Sequence, residues 1–251
     1  MTVLIGFIIF VFGLNIGSFL NVVIWRLHTQ EGLVRKRSYC PKCKHQLKVI
    51  DLIPLISFLM LRGRCRQCRQ PIDWQYPVVE FVTAVIFTGL FLRFGLSDQF
   101  VIYSIYSAFL IVVFVFDLKH YLILDRVMLP AAIVAAIGGL VLGMSWQILL
   151  IGAAIGGGFF LLQYVLSKGR WIGGGDIRLG AVMGLMLGWP VTIAALFISY
   201  VMGSLGGVGL IALGKKTWGS RLPFGVFLTV GTLICLFWGA RLVDYYISLT
   251  R

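Results

Sequence analysis

About eight stretches of roughly 20 mostly apolar residues run through this chain, and a run of that length is what an α-helix needs to cross a bilayer. They lie near residues 3–25, 78–95, 99–116, 127–144, 147–166, 178–190, 191–213 and 223–245. Short polar connections separate them. The expected fold is therefore all-α: a polytopic membrane protein of about eight transmembrane helices. The sixth stretch is short, and Pro190 marks the turn that separates it from the seventh. Composition agrees, with 59% hydrophobic and 12% charged residues among 251 and a mean hydropathy of +0.96. A soluble domain needs far less apolar material for its core. The first stretch is too long for a signal-peptide core and reads as a retained helix.

A net charge of +13 raises the question of nucleic acid, but the basic residues are confined to particular loops. With the amino terminus outside, eleven Lys/Arg fall between Arg26 and Arg69 on the inner side. Lys119, Arg126, Lys168, Arg170, Arg178, Lys215, Lys216 and Arg221 join them, and only Arg93, Arg241 and Arg251 lie opposite. By the positive-inside rule the crowded side is the cytoplasm. No aromatic-interleaved basic motif accompanies the loops, so nucleic acid is not an expected partner. The lipid bilayer is.

One polar insertion, at about residues 27–76, holds four of the five cysteines. Cys40-Pro-Lys-Cys43 and Cys65-Arg-Gln-Cys68 form two C-x-x-C knuckles with 21 residues between them, close to the spacing of four-cysteine zinc sites. Four thiolates complete a tetrahedral Zn²⁺ shell and leave no position for water, so the expected metal is structural. So small a polar insertion buries little apolar surface, and a metal link is a source of stability for it. Two disulfides or redox-active pairs are the alternative, which a cytoplasmic setting disfavours. His28 and His45 are possible replacement ligands. Cys235 reads as a small buried hydrophobe.

Nine acidic residues occur in the whole chain, so an acid beside an apolar stretch needs solvation, a partner or a task. Asp117 directly follows the third stretch, and Asp176 directly precedes the sixth in Trp171-Ile-Gly-Gly-Gly-Asp176. Two intervening helices carry the chain out and back, which predicts both aspartates at one face of the membrane. Two adjacent carboxyls share a proton, so one takes a proton from water while the other protonates a carbonyl or leaving amine. The alternative is a helix-boundary role, Asp176 complementing the dipole of the sixth helix. Asp125 lies about 12 Å along a helix from Asp117, too far to hold the same water, and is expected to cap the helix beginning near Arg126.

These strings together resemble the prepilin leader peptidases, membrane aspartic proteases with a G-x-G-D motif. Gly17-Ser-Phe-Leu-Asn-Val-Val-Ile-Trp-Arg26 is similar to the family's G-S-F-L-N-V-V-x-x-R signature. Asp51-Leu-Ile-Pro-Leu-Ile-Ser57 and Leu61-Arg-Gly-Arg-Cys65 flank the knuckles as in the family, and Tyr76-Pro-Val-Val-Glu80 is similar to Y-P-x-V-E. Asp117-Leu-Lys-His-Tyr-Leu-Ile-Leu-Asp125 matches the family's D-x6-P-D spacing, and Gly173-Gly-Gly-Asp176 matches G-x-G-D. Three departures stand out: Leu124, His28 and Val226 occupy places where the family usually has proline, the last in Pro223-Phe-Gly-Val226.

The resemblance implies that Asp117 and Asp176 are the protease pair. It further implies cleavage of prepilins or pseudopilins at the cytoplasmic face of the bacterial cell membrane, between a basic leader usually ending in glycine and the apolar helix of the mature subunit. Many members then methylate the new amino terminus with S-adenosylmethionine, an activity associated with the cysteine loop. Asp51 and Glu80 are secondary candidates for contacting that cofactor or the new amine. The implied division is residues 1–26 as first transmembrane helix, 27–76 as cytoplasmic four-cysteine module and 77–251 as peptidase domain. A zinc-dependent membrane protease is a competing class, but the chain has three histidines and no H-E-x-x-H string. A non-enzymatic carrier or assembly scaffold, whose acids bind a proton or ion, is a third. No pilin, export system or oligomeric state is assigned by the sequence.

Overall fold

A computed structural model describes residues 1–32, 37–217, 220 and 222–249. Arg35, Lys36, Arg221 and Arg251, which enter the charge distribution above, lie outside the described residues. Nine α-helices occur among the described residues: α1 (Thr2–Thr29), α2 (Ile56–Met60), α3 (Gln75–Phe94), α4 (Asp98–His120), α5 (Asp125–Val141), α6 (Trp146–Ser167), α7 (Gly174–Leu187), α8 (Val191–Ala212) and α9 (Phe224–Leu249). No strand accompanies them there. Eight of the nine coincide with the eight apolar stretches. Six, namely α1, α3, α4, α6, α8 and α9, are long and apolar enough to cross a membrane. The exceptions are α5, with 17 residues, and α7, with 14. Fourteen residues rise only about 21 Å against a hydrocarbon core of about 30 Å.

The chain divides into two compact units, Met1–Val112 and Val113–Arg251, with the boundary inside α4. In the first unit α1 packs along α3. Small residues make that approach possible: a Cβ on Gly13 would stand 2.6 Å from the Ala84 Cα, and one on Gly17 would stand 2.6 Å from the Glu80 Cα. Ile9, Phe87 and Phe91 form the buried centre of the contact. Asn21, only 1% exposed, ties the C-terminal part of α1 to the start of α3. Its amide donates to the Tyr76 carbonyl at 3.0 Å and accepts from the Gln75 side chain at 3.0 Å.

In the second unit α7 is the central element, packed against α5, α6, α8 and α9. It starts at Gly173 and stops at Gly188, whose φ of 66° lies in the left-handed region. That stop separates it from α8, as Pro190 suggested. A helix enclosed by four others needs no lipid-facing length of its own, which accounts for its 14 residues. The apolar side chains of α1, α3, α6 and α8 that face outward, among them Val3, Phe7, Phe81, Leu162 and Phe197, are where a bilayer requires them.

Candidate active site and metal centre

Asp117 lies in the last turn of α4, within the second unit, and is 5% exposed. Its Oδ2 accepts from the Val226 N–H at 3.1 Å. Val226 is the third residue of α9, so the carboxylate sits where a helix N-terminus presents unpaired N–H groups. Gly225 leaves room for it, because a Cβ there would come 2.8 Å from Asp117 Oδ2. Val226 matters here for its backbone alone. A proline at this position has no N–H to donate, so the departure noted in the sequence supplies a hydrogen bond to the candidate catalytic acid.

Asp176 occupies the first turn of α7 and is 9% exposed. Its Oδ2 accepts from the Gly173 N–H at 3.2 Å, and its own N–H donates to the Gly173 carbonyl at 3.1 Å. The helix-boundary geometry considered above is thus present, without excluding chemistry at the same carboxyl. Burial first, and then the charge of Asp117, push the Asp176 carboxyl up to about 6, against the opposing Gly173 hydrogen bond. A raised carboxyl beside a second acid is the electrostatic pattern of a shared proton.

The segment between α4 and α5 borders both aspartates. A Cβ on Gly175 would lie 2.9 Å from Ile123 Cβ, and one on Gly225 would lie 3.1 Å from Ile123 Cδ1. One side chain therefore touches the backbone beside each acid. Asp125 differs from the sequence expectation. The N-cap of α5 is Leu124, with extended backbone, and Asp125 is the first helical residue. Its carboxylate forms an ion pair with Arg178 instead, and Arg178 Nε also donates to the Gly174 carbonyl at 3.2 Å. Arg178 thereby joins the start of α5 to the turn that carries Asp176. Sequence reading had no signal for this pair, since charge spacing says nothing about partners 53 positions apart.

In the first unit the two C-x-x-C knuckles repeat one local geometry. Cys40 N–H donates to the His45 carbonyl at 2.9 Å and Cys65 N–H to the Gln70 carbonyl at 2.9 Å. Lys44 and Arg69, each one residue past a knuckle, have φ of 59° and 60°. Paired bridges, Tyr39 with Gln46 and Arg64 with Pro71, close the two turns. The sulfurs of Cys40, Cys43, Cys65 and Cys68 all lie within 4.8 Å of one another, with Cys40 and Cys68 at 3.9 Å. Tetrahedral bonds of about 2.3 Å demand sulfur separations of about 3.8 Å, so the donor set fits a zinc-sized ion. All four are free thiols, not disulfides.

Asp51 and Glu80 anchor the same module. Asp51 Oδ1 accepts from Arg66 Nε at 2.8 Å and Oδ2 from the Lys48 N–H at 3.1 Å. Burial alone would raise this carboxyl, but Arg66, Lys48 and their charges hold it below the ordinary carboxylate value. Glu80, 7% exposed, accepts the Leu55 N–H at 2.8 Å. Leu55 has a φ of 57°, a conformation that L-residues avoid.

The family described as Bacterial Peptidase A24 N-terminal domain matches residues 11–94, and the Type IV leader peptidase family matches 104–208. A prepilin leader peptidase/N-methyltransferase of Bacillus subtilis is 33% identical over 96% of this chain and 98% of the relative. The chain belongs to the type IV leader peptidase family. Relatives with the same name in Aeromonas hydrophila and Legionella pneumophila are each 31% identical, covering 96% and 94% of this chain and 93% and 92% of their own lengths. No solved structure matches the chain. Within this type IV leader peptidase the gap between the two matches, residues 95–103, falls at the turn into α4. The first match contains the cysteine cluster and the second contains both Asp117 and Asp176.

Proposed function

We propose that this protein cleaves the leader from type IV prepilins or pseudopilins with Asp117 and Asp176, and that it methylates the amino terminus so exposed. The observation that supports the pair best is that two acids from separate helices, Asp117 and Asp176, are both buried and both bordered by the α4–α5 connection at Ile123, where burial first and then the charge of Asp117 raise Asp176. In the reaction one carboxylate takes a proton from water, whose oxygen attacks the scissile carbonyl. The protonated partner supplies its proton to the carbonyl oxygen. Collapse breaks the C–N bond as a proton passes to the leaving amine, giving a free leader carboxylate and a free mature amine. Water is the only co-reactant, and no covalent enzyme intermediate forms.

The division of labour follows the sequence: 1–26 as first membrane helix, 27–76 as the module serving methylation, 77–251 as the peptidase domain. The cysteine cluster holds one structural Zn²⁺ through Cys40, Cys43, Cys65 and Cys68. S-adenosylmethionine supplies the methyl group when bound. Asp51 is held by Arg66 and Lys48 and Glu80 by Leu55 and Ser18; the two carboxylates are the candidates for contacting the cofactor or the new amine, and no step is derived through the cofactor. The basic loops orient the chain in the bacterial cytoplasmic membrane with both sites facing the cytoplasm.

Incubating a candidate prepilin with the purified protein and measuring pilin mass tests this reading, because leader loss and methyl gain are separate shifts. Asp117→Asn and Asp176→Asn should each abolish leader loss while the protein still inserts, whereas Asp125→Asn should retain substantial cleavage. Normal cleavage by either of the first two variants ends the aspartate-pair assignment.

A further inference from the structure

We propose that the groove between α2 and the start of α3 seats an acyl chain of an anionic phospholipid, whose phosphate meets the basic turn Arg62-Gly63-Arg64. The groove has a volume of about 280 Å³ and is lined by Leu55, Phe58 and Leu59 from the cysteine module, by Trp74, and by Val78 and Phe81 on α3. Its walls are built rather than draped. The Leu55 N–H donates to Glu80 Oε2 at 2.8 Å, which pins the entry to α2 against α3. The Phe58 and Trp74 rings pack with their centroids 5.1 Å apart.

The apolar side chains here stand where water would oppose them. Ile56, Leu59, Met60 and Trp74 are each more than half exposed, a cluster that a module immersed in water does not maintain without a partner. Val78 and Phe81, also exposed, continue the same surface along α3, a helix long and apolar enough to cross a membrane. The groove is therefore an extension of the surface that α3 presents to lipid tails, and a tryptophan at its mouth suits the boundary between tails and water. Charge selects the headgroup. Gly63 has a φ of 66°, and a Cβ on it would stand 3.1 Å from Phe58 Cζ, so the turn lies on a ring that lines the groove. Arg62 and Arg64 flank that glycine, and both are exposed. Guanidinium groups match phosphate oxygens in paired hydrogen bonds, and a lipid with net negative charge gains more from two of them than a zwitterionic one.

The test places photoreactive benzoylphenylalanine at position 59 of the full-length protein, in nanodiscs of equal phosphatidylglycerol and phosphatidylcholine, and identifies the adducts by mass spectrometry. The adducts should be phospholipid. Their phosphatidylglycerol share should exceed, by about fivefold or more, that found with the probe at Leu162, an outward-facing position on α6 that is 59% exposed; that is the scale of one basic residue at an anionic surface. Arg62→Ala/Arg64→Ala should bring the ratio at position 59 down to the Leu162 value. Met60, 67% exposed, takes the probe if the position 59 variant does not accumulate. Equal ratios at the two probe positions would reduce the groove to bulk lipid contact, adducts to protein would give it to a polypeptide such as a second copy of this chain, and no adduct would place it in water. Each of these three results overturns the proposal.

Discussion

The carboxyl of Asp176 shows how position converts an ordinary acid into a proton holder. Its folded value of about 6 lies above the roughly 3.9 of an unfolded aspartate, so the folded chain binds the extra proton more tightly. The resulting stability is fully present below about pH 4 and is lost as pH rises through the folded value. Infrared spectra, with Asp176→Asn used to identify the band, should show this carboxyl titrating near 6. In Asp117→Asn the midpoint should move down, since one of the two influences that raise it has gone. An unmoved midpoint would mean that the two acids do not sense each other. At this scale the acids were legible because charge is rare beside apolar stretches. The backbone donor of Val226 and the partner of Arg178 were not, because neither is a property of residue type.

Among the elements, the seam between α6 and α7 decides where Asp176 can sit. Gly152 and Gly156 on α6 meet Gly184 and Gly180 on α7 almost backbone to backbone, and a Cβ at Gly180 would stand 2.5 Å from both the Gly156 carbonyl oxygen and Phe160 Cδ2. No rotamer change relieves contact with a backbone atom, so Gly180→Ala must part the helices. Its expected cost is about 1–3 kcal/mol, the range for overpacking a tight contact, read as a lowered Tm in detergent. A Tm equal to that of the wild type would show the seam to be slack. Small-residue patches in α6 pointed to close helix packing from sequence alone. Their partner did not, because a Gly-rich run is the same string whether it faces lipid or another helix. The brevity of α7 has the same origin: eight of its 14 residues are buried, so neighbouring helices rather than bilayer thickness set its length.

For the whole molecule, the two compact units separate the metal cluster from the acids, since Cys40 through Cys68 lie in Met1–Val112 and Asp117 and Asp176 in Val113–Arg251. Metal analysis should find about one zinc per chain, the stoichiometry of a closed four-thiolate site. Cys40→Ser/Cys65→Ser should lose that zinc and methyl gain while retaining leader loss; unchanged metal content would refute the site. By itself the sequence determined the fold class, the positions of eight helices and the four-cysteine cluster, and it carried the orientation signal in its loops and singled out Asp117 and Asp176. Each of these is written in residue type and local spacing, through hydropathy over a bilayer's depth and the C-x-x-C turn. Only tertiary structure decided that α7 is a central helix, that Ile123 stands beside both acids and that Arg178 reaches back to Asp125. Those are contacts between distant segments, and hydrophobic packing, which is non-directional, does not encode them in any local pattern.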